Sequence, residues 1–178
     1  MRPGRLAGEL EVPLSTVNEW TRQLRFQRVL TSTPSGEFVD RPRLLQFYAS
    51  TRVARLYPTA TLRTRLRPSG LSQLLRRESI DHSLAMLAAA NEWAFFEPRR
   101  RIELYVSRGD TRRVREVLPP GDNEVDVFWE NPAELPIERR GPAVVTSAFL
   151  TIVDCRAHPE GGAHAHFLEQ NVMGWSAD

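Results

Sequence analysis

Apolar and polar positions change period several times along the chain, and each change marks an element. In Leu6-Ala7-Gly8-Glu9-Leu10 the two leucines stand four apart, which places them on one face of a short helix. Small Ala7 between them leaves room for a crossing helix. Pro13 then disfavours helix at Val12 and suits the first turn of a new one. From Leu14, Val17, Trp20 and Leu24 recur at i, i+3 and i+7, which predicts a second helix with that stripe buried. Ser15, Asn18 and Arg22 repeat the spacing about 200° round the helix. Arg28-Val29-Leu30-Thr31 and Glu37-Phe38-Val39 predict two short strands around the turn-rich Ser32-Thr33-Pro34-Ser35-Gly36. Helix, turn, helix and hairpin within residues 1–40 is the order of a winged helix-turn-helix.

Such a head binds duplex DNA by laying its second helix in the major groove. Ser15, Asn18 and Arg22 face outward there, and Asn and Arg pair in two-pronged fashion with adenine and guanine. Thr16 and Thr21 are placed to touch phosphates, and Ser35 sits at the wing tip. Glu19 would repel the backbone unless it accepts from a cytosine amine. Two features depart from the usual head. Glu11 stands where many such turns place a glycine at positive φ. Only five residues precede Leu6, so a first helix would lie upstream or its place be filled by another part of the assembly. The head is therefore expected to be marginal alone, or else completed by the C-terminal domain or by a second subunit, which a homodimer would supply.

Residues 41–178 alternate helices with strands, as in an α/β domain, so the whole chain is expected to be α+β. Asp40 is an N-cap for a helix with Pro42 in its first turn, running to about Leu56. In the predicted strand over 60–67, Leu62, Thr64 and Leu66 point one way and Arg63, Arg65 and Arg67 the other. Three guanidiniums at steps of about 6.6 Å suit accessory contacts to phosphates, or equally a charged edge strand. A helix follows over 70–78, then one from an Asp81 cap through Ala90. Arg101 to Val106 and Val125 to Trp129 read as strands, with a helix between them opened by Asp110. Two helices end the chain, one holding Phe149, Ile152 and Val153, the other Phe167, Leu168 and Val172.

Charge sharpens the picture. The net charge is +2, yet residues 41–80 hold nine Arg against Glu78 alone, and residues 121–178 hold ten acids against three Arg. A polarised chain can present its basic part to a polyanion. No signal peptide or membrane span is evident, and a single cysteine excludes an internal disulfide, so a cytoplasmic protein is expected.

Candidate chemistry is thin. Asp154, Cys155, His158, His164 and His166 supply metal-type ligands, but their spacing matches no zinc pattern, so no metal is expected. Phosphate-cradling glycine loops are absent, and no cofactor is expected. Glu103 and Asp126 could be neighbouring carboxylates for metal chemistry, although local pattern does not orient them. Trp93, Phe95 and Phe96 read as core side chains. The chain is read as a regulator and not an enzyme.

The chain resembles the AbiEi-type antitoxins of type IV toxin–antitoxin systems and the transcriptional regulators grouped with them. Leu6-Ala7, Val12, Ser15-Thr16-Val17 and Leu24 are similar to that family's winged helix-turn-helix, and Asp40-Arg41-Pro42-Arg43-Leu44-Leu45 to the segment after the wing. Ile102 to Val106, Asn123 to Val127 and Val144-Val145-Thr146-Ser147 look like its later strands and the start of its final helices. The resemblance implies a nucleotidyltransferase-like fold for residues 41–178 and a repressor or antitoxin that binds operator DNA. The Gly-Ser and spaced acids of active nucleotidyltransferases are not visible here. The alternatives are a nucleotidyltransferase-like enzyme using Glu103 or Asp126 with a divalent metal, and a protein-interaction module in which the head mediates assembly.

Overall fold

Pro13 separates two helices, α1 (Pro3–Glu9) and α2 (Leu14–Phe26), in a computed structural model that describes residues 3–33, 36–53 and 57–175. The turn between them closes on Val12 N–H donating to the Ala7 carbonyl, and Glu11 takes φ +53°. The backbone thus makes the left-handed step that the sequence marks with a non-glycine residue. Such a residue is strained by about 1 kcal/mol or more. Glu11→Gly is therefore expected to stabilise the full chain by up to about 1 kcal/mol after the added chain entropy of glycine, read as a higher thermal unfolding midpoint. A lower midpoint would show that Glu11 contributes something the turn needs.

After α2, a two-stranded antiparallel hairpin pairs β1 (Leu30–Thr33) with β2 (Gly36–Val39), Leu30 opposite Val39. Helix α3 (Arg41–Arg52) follows, and the Asp40 carboxylate accepts from the Arg43 N–H as the expected cap. The expected end near Leu56 lies outside the described residues. The chain divides into two compact units, Met1–Ser50 and Thr51–Asp178, so the division falls one helix later than the sequence boundary at residue 40.

In α2 the buried residues are Val17 and Thr21, with Leu24 half-buried, while Trp20 is 45% exposed. The expected Val17–Trp20–Leu24 stripe is corrected by one position. Thr21 can occupy a buried place because its hydroxyl donates to the Val17 carbonyl one turn back. It is thereby also withdrawn from the phosphate contact expected of it.

The second unit is built on a six-stranded mixed sheet, so the chain as a whole is α+β. In chain order the strands are β3 (Ala60–Thr64), β4 (His82–Leu84), β5 (Arg101–Val106), β6 (Asn123–Trp129), β7 (Ile137–Arg140) and β8 (Ala143–Thr146). Their order across the sheet is β3-β6-β5-β4-β8-β7, with β5–β6 and β4–β8 parallel and the other pairs antiparallel. The helices are α4 (Pro68–Arg77), α5 (Met86–Trp93), α6 (Thr111–Val117), α7 (Ala148–Ala157) and α8 (Gly162–Asn171). Alternation sends Leu62, Ile102, Leu104, Val106, Val125 and Val127 to one face, where they join Leu71 and Leu75 of α4 and Val114 of α6 in the main core.

The helix expected from Asp81 through Ala90 is split. Residues 82–84 form the inner strand β4, and α5 begins only at Met86, whose φ is +46°. A three-residue buried strand running into a buried helix leaves no periodicity to separate the two. His82 ties three elements together. Its Nδ1 lies 2.8 Å from the Ile80 carbonyl and its Nε2 2.7 Å from Ser72 Oγ, which accepts from the Val144 N–H. The pattern fits a neutral imidazole donating from Nδ1, and burial holds the His82 pKa below its ordinary value. At the α7–α8 corner, a Cβ on Gly161 would overlap the Cys155 carbonyl, so only glycine allows that approach.

Candidate nucleic-acid interface

The recognition-type residues lie on α2 because Pro13 starts the helix and Val17, Thr21 and Leu24 turn one side inward. Ser15, Asn18 and Arg22 are exposed on the outer side, as their spacing predicts, while Thr16 and Glu19 are half-buried. Glu19 is satisfied within the helix. It accepts from Arg22 Nε at 3.0 Å, from Arg22 Nη2 at 2.7 Å and from Gln23 Nε2 at 3.1 Å. The hydrogen bonds from Arg22 and then Gln23 hold its carboxyl below the ordinary value, and the same pairing raises Arg22. Arg22 is thus braced in one orientation while its side chain stays 77% exposed. A pair this open is worth little in stability and exchanges readily for a phosphate or a base.

Beside them lies a feature that counting apolar residues misses. Phe26 is 84% exposed and, with Phe47, Gln23 and Gln27, borders a hollow that Glu19 and Arg22 also line. The signal was present in Phe26 itself, which ends α2 off the buried stripe. Ser35 lies outside the described residues.

The three arginines of the second unit do not form the expected ladder. Strand β3 ends at Thr64, where its pairing with β6 stops, so only Arg63 sits on it, opposite Glu124. Leu62 and Thr64 are buried and Arg63 exposed, as alternation requires. Arg65 and Arg67 follow the strand and line two different hollows, Arg65 with Gln73 and Arg77, and Arg67 with Arg99 and Asn123. All three guanidiniums are exposed.

The sheet face opposite the main core holds the acids. Glu103 on β5 and Asp126 on β6 stand side by side in the parallel register, with Arg101 opposite Glu124 two residues before. Asp126 accepts from Thr61 Oγ1 at 2.7 Å and pairs with Arg101 Nε at 3.3 Å. Glu103 Oε2 accepts from the Ala88 N–H at 2.8 Å, capping the first turn of α5, where Ala85 offers no side-chain acceptor. Its other oxygen is buried without a hydrogen-bond partner. Burial pushes the Glu103 carboxyl up to about 7, against the Ala88 hydrogen bond and the Arg99 charge.

The metal-type cluster at the end of the chain does not converge. Asp154 accepts from Arg52 Nε and from the Tyr105 hydroxyl, each at 2.8 Å, and Cys155 is fully buried with its thiol pushed up by burial. His164 packs against the Phe96 ring at 4.2 Å, and both its ring nitrogens are buried without a hydrogen-bond partner, Glu97 Oε1 lying 3.9 Å from Nε2. Among the described residues no three His, Cys, Asp or Glu side chains are grouped to hold a metal ion. Phe95 is 74% and Phe96 40% exposed, so the reading of these rings as core is corrected. Among the described residues no helix is long and apolar enough to cross a membrane. Comparison with protein-family models, with curated proteins and with solved structures finds no match for this chain.

Proposed function

We propose that the chain is a DNA-binding transcriptional regulator, a repressor or antitoxin, whose N-terminal unit is a winged helix-turn-helix that reads operator DNA. The observation behind this reading is the outward row Ser15, Asn18 and Arg22 on α2, set by the inward Val17 and Thr21 and followed by the β1–β2 hairpin. In this reading α2 enters the major groove and the hairpin serves as the wing. Asn18 and Arg22 read base edges, and Ser15 and Thr16 position the helix N-terminus. Arg63, Arg65 and Arg67 add phosphate contacts that strengthen binding without specifying sequence. A homodimer would place two such helices about 34–36 Å apart on a repeated site. The second unit is the nucleotidyltransferase-like domain that the resemblance implies.

The test is an electrophoretic shift with duplex DNA from upstream of the protein's own gene, repeated across salt concentrations. Saturable binding that competitor DNA does not remove, and that falls steeply with salt, is expected. Asn18→Ala should weaken the cognate site by about 1–3 kcal/mol and leave non-cognate DNA unaffected. Equal loss on both would assign Asn18 to the backbone, and no binding at low salt would end the proposal. A second reading, a metal-dependent nucleotidyltransferase-like enzyme, draws on the side-by-side Glu103 and Asp126. Transfer of a labelled nucleotide that requires a divalent cation and is lost in Asp126→Asn would favour it.

A further inference from the structure

We infer that the groove between the start of α4 and the loop after α5 binds a nucleoside phosphate, with Phe95 stacking on the base and Arg67 and Arg100 holding the phosphate. This hollow of about 480 Å³ lies wholly within the second unit, and Arg67, Asn91, Phe95, Arg100, Arg101 and Asn123 are on its walls. Its size is that of small-molecule sites.

Two asparagines build it. The Asn91 carbonyl accepts from the Phe96 and Glu97 N–H groups, and its amide donates to the Glu97 carbonyl. These bonds fix the loop that presents Phe95, which is 74% exposed although the chain has ample core to take a ring. Opposite, the Asn123 amide donates to the Leu66 carbonyl at 2.9 Å and so places Arg67.

The charges sort into braced and open. Arg99 is engaged by Glu97 and Glu160, and Arg101 by Glu124 and Asp126. Arg67 and Arg100 are exposed and make no ion pair among the described residues. Of the acids on the wall, Glu97 is taken by Arg99, and Glu92 on α5 is half-buried, its carboxyl pushed up from the ordinary value by that burial. An aromatic face with two open guanidiniums, each on a locked backbone, matches a ligand with a flat base at one end and a phosphate at the other. An isolated phosphate would leave Phe95 unused, and an isolated base would leave the arginines unused.

The source is either a free nucleotide or a nucleotide of an unpaired strand, and calorimetric titration of the full chain separates them. The probes are adenosine 5′-monophosphate, adenosine, inorganic phosphate and a short single-stranded oligoadenylate. The monophosphate is expected to bind more tightly than adenosine or phosphate. Phe95→Ala and Arg100→Ala should each weaken it about tenfold or more with an unchanged unfolding midpoint, because both side chains are exposed. Equal affinity for the monophosphate and the oligonucleotide assigns a free nucleotide, and tighter oligonucleotide binding that also needs Phe95 assigns a strand. The inference is overturned if neither the monophosphate nor the oligoadenylate binds, if Phe95→Ala binds these two as the parent does, or if phosphate or adenosine alone binds as tightly as the monophosphate.

Discussion

Arg52→Met is expected to destabilise the second unit by about 3–5 kcal/mol, the cost of stranding a buried charge. The Arg52 guanidinium reaches Asp154 through Nε at 2.8 Å, Glu130 through Nη1 at 3.0 Å and the Tyr105 hydroxyl through Nη2 at 2.9 Å. Tyr105 in turn donates to the second Asp154 oxygen at 2.8 Å. The Asp154 side chain is completely buried and that of Arg52 is 9% exposed, so water replaces neither partner once the other is gone. Removing the guanidinium leaves the Asp154 carboxylate with the tyrosine alone. Because desolvating both charges offsets much of what their attraction provides, Arg52→Met/Asp154→Leu should recover most of the loss. Urea unfolding of the parent, both single variants and the double variant gives the coupling directly. Single variants that lose less than about 1 kcal/mol would mean that the site admits water and that the network is not a structural hub.

That network also shows where local reading of a sequence ends. Arg52 and Asp154 are 102 residues apart, and nothing in the periodicity of α3 or α7 joins them. Strands β5 and β6 were legible because each alternates over most of its length. Strand β7, Ile137-Glu138-Arg139-Arg140, is exposed throughout and left no pattern to assign, because an edge strand facing water needs no apolar alternation. The arginine ladder failed for a different reason. Its alternation held through Thr64, but a strand lasts only as long as its partner, and β6 offers no residue before Asn123. In the head, Trp20 and Thr21 lie one position apart, about 100° of rotation. Apolar counting chose the tryptophan, whereas a threonine that bonds its own helix took the buried place. The outward row of α2 survived that error, because Ser15, Asn18 and Arg22 are exposed in the corrected rotation too. Phe95 was misread because ring residues are usually buried and the Asn91 brace that turns it outward is a side-chain contact.

Glu103→Gln is expected to stabilise the chain by about 2–3 kcal/mol at pH 8 and to change little near pH 4. Unfolded, the Glu103 carboxyl titrates near 4.5, and folded it titrates near 7 because it is buried beside Asp126 with one oxygen unpartnered. Between these values the folded state holds a proton that the unfolded state has released. The stabilisation due to the neutral acid is complete below about 4.5, declines as pH rises, and is lost above about 7. Glutamine mimics the protonated acid, since its carbonyl can accept the Ala88 N–H while its neutral amide avoids the buried charge. The parent should therefore lose stability relative to the variant as pH rises from 4.5 to 8, a difference that isolates Glu103 from other titrating groups such as His82. Parallel unfolding curves across that range would show instead that water reaches the carboxylate. A variant less stable at pH 8 would show that its ionised form is required. The same substitution separates two roles for this face: a stabilised variant with unchanged DNA binding makes Glu103 a cap for α5, whereas loss of metal-dependent nucleotide transfer would make it part of a reactive pair with Asp126.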